Sequence, residues 1–157
     1  SLASYALGCG MKVVAHDRFS ENGKVEVNVG DVNISVDCQM LSMEEVLKQS
    51  DAISLHIPAQ ANGKAIIGTE QLAMMKPGAI LLNAARGGVV DEDALIDALN
   101  SGQISGAALD VFVGEPSPRA DILAHPSISL TPHTGAATSE AQDRIGLELA
   151  AQIAELV

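Results

Sequence analysis

The feature that most constrains this chain is a rhythm of short apolar runs alternating with amphipathic stretches. "MKVVAH" (11–16), "AISLHI" (52–57), "GAILLN" (78–83), "SGAALD" (105–110) and "SISLT" (127–131) are short enough for strands. Several are apolar at successive positions, the pattern of strands covered on both faces. "ISVDC" (34–38) is a weaker strand that could pair at an edge. Helix signals lie between the runs. Ser42-x-x-Glu45 forms a capping box, Thr69 could cap "EQLAMM", and Asp91 precedes "EDALIDALNSG" with acids in its first turn. Ser139-x-x-Gln142 opens a last helix with Ile145, Leu149 and Ile153 at helical spacing. "SENGKVEVNVGDVN" (20–33) is turn-rich and reads as a loop or hairpin. The alternation predicts an α/β fold, a doubly wound parallel sheet.

A chain of 157 residues suits one domain with a sizeable core. With two Phe, one Tyr and no Trp, that core must be aliphatic. A net charge of −11 leaves no basic face for nucleic acid or an anionic membrane. No apolar run reaches membrane-spanning length. Cys9 and Cys38 share no metal or redox spacing and read as reduced core residues of a cytoplasmic protein. No metal site is expected.

An anionic ligand must therefore meet a local cation. "AILLNAARGGVVDEDAL" (79–95) offers one, because Arg86 follows a predicted strand. Ligands of open α/β sheets bind at strand carboxyl ends, and a guanidinium can grip a carboxylate with two parallel hydrogen bonds. Gly87 and Gly88 let the backbone turn there and leave room for a ligand. Alone, Arg86 reads equally as a salt-bridged turn arginine.

Two further residues change that balance. Glu115 follows the strand that ends at Asp110, and His133 follows the last strand in "ISLTPHTGAATSEAQ". A parallel sheet brings Arg86, Glu115 and His133 to one rim. Hydride transfer to a 2-oxo acid needs such a trio: a cation for the carboxylate, an acid–base group for the hydroxyl proton, and a carboxylate to orient it. Asp17, at the end of "MKVVAHD", stands where dinucleotide folds place an acid on the adenosine ribose, which favours NAD over NADP. Gly8-x-Gly10 is no phosphate fingerprint, since it precedes the strand and follows a helix.

"LLNAARGGVVDEDALIDALNSGQISGAALDVFVGEP" followed by "TPHTGAAT" closely resembles the two signature blocks of the D-isomer-specific 2-hydroxyacid dehydrogenases, in their NAD-binding domain. Within that family the histidine block is most similar to the D-3-phosphoglycerate dehydrogenase branch, although Ala137 stands where that pattern has Ser. The resemblance implies catalytic roles for Arg86, Glu115 and His133, and ribose binding by Asp17. It implies that Asp110 contacts the nicotinamide carboxamide. His56, Pro58, Asn83, Ala84, Ala85 and Gly135 would line the cofactor cleft. The implied cofactor is NAD, the partner a small 2-hydroxy or 2-oxo acid, and the assembly a homodimer.

The chain opens in "SLASYALGCG", a helix already under way. Residues 1–157 are therefore expected to be a partial NAD-binding domain that lacks its first strand and glycine loop, with the substrate domain elsewhere. A gap is expected between the strand ending at Asp17 and the one ending at His56, and the isolated chain is expected to be inactive. An NADH-sensing corepressor that keeps a similar trio is the alternative reading. Such proteins carry an aromatic soon after "PH", and residues 134–138 contain none.

Overall fold

The computed structural model describes residues 2–135 and 137–155. Two compact units emerge, one ending at Ser50 and one beginning at Asp51.

In the first unit, α1 (Leu2–Gly8) leads to β1 (Val14–Ala15), β2 (Gly23–Val29), β3 (Val32–Met40) and α2 (Met43–Gln49). The turn-rich segment is a hairpin. β2 and β3 pair antiparallel, closing at Val29 and Val32. Gly30, at φ +61°, takes the first turn position, where a two-residue hairpin turn favours glycine. "ISVDC" is not at an edge, because β3 is the middle strand and also pairs parallel with β1. The capping box forms as expected: the Ser42 hydroxyl accepts from the Glu45 amide and the Glu45 carboxylate accepts from the Ser42 amide. Cys38 is buried, which pushes its thiol pKa up, whereas Cys9 is exposed and no core residue.

The second unit is a parallel sheet. β4 (Ala52–Leu55), β5 (Ala79–Asn83), β6 (Ile104–Leu109) and β7 (Ile128–Leu130) neighbour one another in that order. α3 (Thr69–Met74), α4 (Glu92–Asn100) and α5 (Ala120–Ala124) fall in the successive connections, and α6 (Ser139–Glu155) follows β7. β1 and β4 belong to separate sheets.

Burial follows one face of this sheet. Ile53, Leu81 and Ala107 are aligned across three strands and buried, while Ile80 on the opposite face is 44% exposed. Among the described residues the strands are thus covered more fully on one side than their continuous apolar character predicts. Leu81 and Leu95 expose nothing, and each such side chain contributes about 1.5–3 kcal/mol by leaving water.

Helix starts depend on which residue carries a usable oxygen. Asp91 caps α4, its carboxylate accepting from the Asp93 and Ala94 amides. Gly68, not Thr69, is the cap of α3, and Gln71 reaches back to the Gly68 amide. At α6 the capping hydroxyl is Thr138, which accepts from the Ala141 amide. Ile145, Leu149 and Ile153 share a helical stripe as expected, but all three are exposed.

Candidate active site

The four parallel strands end level with one another. Leu55 aligns with Asn83, Asn83 with Leu109, and Leu109 with Leu130, each the last residue of its strand. His56, Ala84, Asp110 and Thr131 therefore leave the sheet from one rim. Arg86, Glu115 and His133 follow within a few residues. The rim predicted from the alternation is the one observed.

His133 and Glu115 meet directly. The imidazole Nδ1 lies 2.7 Å from Glu115 Oε2. Glu115 Oε1 accepts from the Phe112 amide at 3.2 Å. The hydrogen bond from His133 is the largest influence on Glu115 and draws its pKa below the ordinary carboxylate value; burial opposes it, and the Phe112 amide assists. An ionised carboxylate only accepts, so Nδ1 must carry the hydrogen of this bond. That leaves Nε2, which has no hydrogen-bond partner among the described residues, to give or take a proton.

His133 has φ +55°, the single non-glycine residue in the left-handed region among those described. Such a conformation costs on the order of 1–3 kcal/mol and persists only where the surroundings impose it. Asp110 imposes it. Its Oδ1 accepts from the Thr131 hydroxyl at 2.6 Å and from the Thr134 amide at 2.8 Å, and its Oδ2 accepts from the Gly135 amide at 2.9 Å. Burial works to raise the Asp110 pKa, but these bonds together outweigh it and the net direction is down. The carboxylate expected to meet a carboxamide thus already clamps the loop on both sides of His133.

Arg86 is exposed, and its Nη1 donates to the Ala85 carbonyl at 2.7 Å. No carboxylate among the described residues lies within ion-pair distance of it, so it is not the salt-bridged turn arginine of the alternative reading. Asn83, 2% exposed, braces this turn by accepting from the Ala85 amide and donating to the Arg86 carbonyl. Ala85 is buried, while Ala84, His56 and Pro58 are exposed. His56 Nε2 lies 2.9 Å from the Ser54 hydroxyl.

The two glycines after Arg86 do different work. Gly88 adopts φ +78°, with open space where a Cβ would be. Gly87 is packed against protein rather than cleared for a ligand, since a Cβ there would stand 2.3 Å from the Phe112 carbonyl oxygen. Gly87→Ala should therefore cost about 1–3 kcal/mol, the usual range for overpacking. A denaturation midpoint unchanged from wild type would contradict this.

In the first unit, Asp17 Oδ1 accepts from the Phe19 and Ser20 amides at 2.7 and 3.1 Å. Its Oδ2 has no hydrogen-bond partner among the described residues. The residue borders an open pocket of about 450 Å³ lined also by His16, Ser20, Leu41 and Glu45. A carboxylate oxygen without a partner among the described residues, beside such a pocket, can accept from ribose hydroxyls, which fits a nucleotide. No group of three or more metal-ligating side chains occurs among the described residues.

Sequence reasoning missed Thr131, Thr134 and Glu92. The threonines matter only as partners of Asp110. Glu92 reads as one more first-turn acid of α4, yet it is 7% exposed and accepts from the Val113 amide at 2.7 Å. No local pattern announces that contact.

A parallel sheet whose strand-end loops carry a histidine–glutamate dyad, and an arginine with no ion-pair partner among the described residues, now meets its relatives. Residues 1–135 match the family of the D-isomer specific 2-hydroxyacid dehydrogenase, NAD binding domain, and the chain belongs to that family. It is 36% identical to D-3-phosphoglycerate dehydrogenase of Synechocystis sp. over 99% of its own length and 27% of the relative's. It is 39% identical to hydroxypyruvate reductase of Thermotoga maritima, over 97% of this chain and 47% of that one. Among solved structures, a glyoxylate reductase from Paecilomyes thermophila superposes with a TM-score of 0.77 at 36% identity, covering 93% of this chain and 42% of the other. The chain thus spans roughly a quarter to a half of the curated relatives it matches.

Proposed function

We propose that this chain supplies the nucleotide-binding and proton-transfer part of a D-2-hydroxyacid dehydrogenase. The reaction moves a hydride between NAD and a 2-oxo acid or its D-2-hydroxy acid. The observation that carries the reading is the 2.7 Å pair between His133 and Glu115, set at the strand-end rim with Nε2 free of partners among the described residues.

Each residue has a task in that chemistry. NAD, when bound, supplies or accepts the hydride. Arg86 holds the substrate carboxylate and draws electron density from the adjacent carbonyl. His133 Nε2 passes a proton to the carbonyl oxygen as it is reduced and recovers it in the reverse direction. Glu115 accepts from Nδ1 and so fixes the orientation of the ring and leaves Nε2 for proton exchange. Asp17 offers Oδ2 to ribose hydroxyls. Asp110 faces the nicotinamide carboxamide, and His56, Pro58, Asn83, Ala84, Ala85 and Gly135 line the cofactor cleft.

The same proposal makes residues 1–157 a partial NAD-binding domain, with the substrate's side-chain pocket in a separate domain of a cytoplasmic homodimer. D-3-Phosphoglycerate is the first substrate to test, because the Synechocystis relative bears that name and one from Escherichia coli reaches 43% identity. Hydroxypyruvate and glyoxylate are its competitors.

The test assays the dehydrogenase containing this chain with NAD and a panel of D-2-hydroxy acids. Turnover with one of them is expected, and turnover with none would overturn the reading. Arg86→Gln, which removes two charge-assisted bonds, should lower kcat/KM on the order of 10²-fold, mostly through KM for the acid. An unchanged KM would remove Arg86 from the site.

A further inference from the structure

Glu92 is the one buried carboxylate in the second unit, among the described residues, that the chemistry above leaves without a role. It is the first residue of α4, six positions after Arg86, and its Oε1 accepts from the Val113 amide at 2.7 Å. Val113 lies in the segment that carries Glu115 from the end of β6. That segment is held at three adjoining points. The Phe112 carbonyl rests against Gly87, the Phe112 amide donates to Glu115 Oε1, and the Val113 amide donates to Glu92 Oε1.

One of these points joins the segment to the turn after β5, which presents Arg86, and another joins it to the first residue of α4, where that turn ends. The third fixes the rotamer of Glu115, which in turn holds His133. An amide bonded to Glu92 cannot swing away without taking Phe112 and the Glu115 anchor with it. We infer that Glu92 is a positioning residue, which straps the Glu115 segment to the start of α4, where the turn that presents Arg86 ends, and so sets the aim of Glu115 at His133. Its catalytic consequence rests on the dehydrogenase reading, but the strap itself does not.

Three substitutions separate this from a general contribution to folding. Glu92→Gln keeps an oxygen acceptor at the same reach. Glu92→Asp keeps the charge at the start of α4 but falls one methylene short of Val113. Glu92→Leu keeps the bulk and loses the acceptor. The first readout is the carboxyl titration of Glu115, followed by NMR in ¹³C-glutamate-labelled protein and assigned with Glu115→Gln. Glu115 should titrate below the ordinary range in the wild type and in Glu92→Gln, and move back toward it in Glu92→Asp and Glu92→Leu. The second readout is kcat in the complete dehydrogenase, expected to fall on the order of 10- to 100-fold in the Asp and Leu variants and to be restored in Gln.

Folded Asp and Leu variants with a wild-type Glu115 titration would overturn the inference. If Glu92→Leu fails to fold, Glu92→Asp decides it. Loss of fold in all three, Gln included, would assign Glu92 to stability alone and also overturn it. A wild-type enzyme without turnover on any D-2-hydroxy acid sinks the dehydrogenase reading while leaving the titration test standing.

Discussion

His133→Ala in the complete dehydrogenase should lower kcat by about 10²–10⁴, the usual contribution of a positioned general acid–base. The basis is geometric. Glu115 takes one ring nitrogen at 2.7 Å, and the other nitrogen has no partner among the described residues. Removing the ring takes away the one group on the rim, among the described residues, with both an orienting carboxylate and a ring nitrogen open to proton exchange. Affinity for NADH should stay within about twofold, because an interaction made only in the transition state does not report on ground-state binding. Glu115→Gln is the informative companion. It keeps the shape of the side chain but replaces a charge-assisted acceptor for Nδ1 with a neutral one, so its loss in kcat should be smaller. Wild-type kcat in His133→Ala would remove the residue from the reaction.

The rim was legible because it depends on chain order and strand ends. Alternation of apolar runs located β4 to β7, and a parallel sheet must bring their carboxyl ends together. Arg86, Glu115 and His133 follow from that with no knowledge of contacts. Capping residues were legible where the oxygen belongs to the expected side chain, as at Ser42 and Asp91, and misplaced by one residue at Gly68 and Thr138. What stayed hidden are contacts between segments distant in sequence. Gly87 against the Phe112 carbonyl, Glu92 on the Val113 amide and Asp110 on Thr131 link residues 21 to 25 positions apart. Each of those residues has an ordinary local explanation, as a turn glycine, a first-turn acid or a strand-end acid. The hairpin at β2 and β3 was ambiguous for a similar reason, since its strands are half-exposed and carry no continuous apolar run.

These hidden contacts share a purpose. A left-handed His133 is uphill, and the dyad with Glu115 is a single hydrogen bond between partly exposed side chains. Exposed ion pairs of this kind contribute little by themselves, about 0–1 kcal/mol. Holding His133 at φ +55° therefore falls to its loop, while Glu115 orients the ring. The loop's strongest fastening is the Asp110 carboxylate, which takes two hydroxyls and two amides from three residues flanking His133.

Asp110→Ala should accordingly remove both stability and rate. Hydrogen bonds to a charged group contribute about 1.5–3 kcal/mol each, but the freed Thr134 and Gly135 amides are exposed and will bind water. The expected loss is therefore on the order of 1.5–3 kcal/mol in all, read from the shift in the urea midpoint. With the clamp gone, His133 can relax out of φ +55°, and a displacement of about 1 Å at the proton-transfer group costs on the order of 10² in kcat. The pH dependence has a definite sign. The native pKa of Asp110 is depressed, so its contribution is complete above the unfolded value of about 3.9 and is lost as pH falls through the lower native value. Wild type and Asp110→Ala should thus differ by a constant amount across neutral pH and converge only in strong acid. Asp110→Asn, which keeps one acceptor oxygen but no charge, should fall between them. If Asp110→Ala keeps wild-type stability and kcat at pH 7, the left-handed histidine is held by something other than this carboxylate.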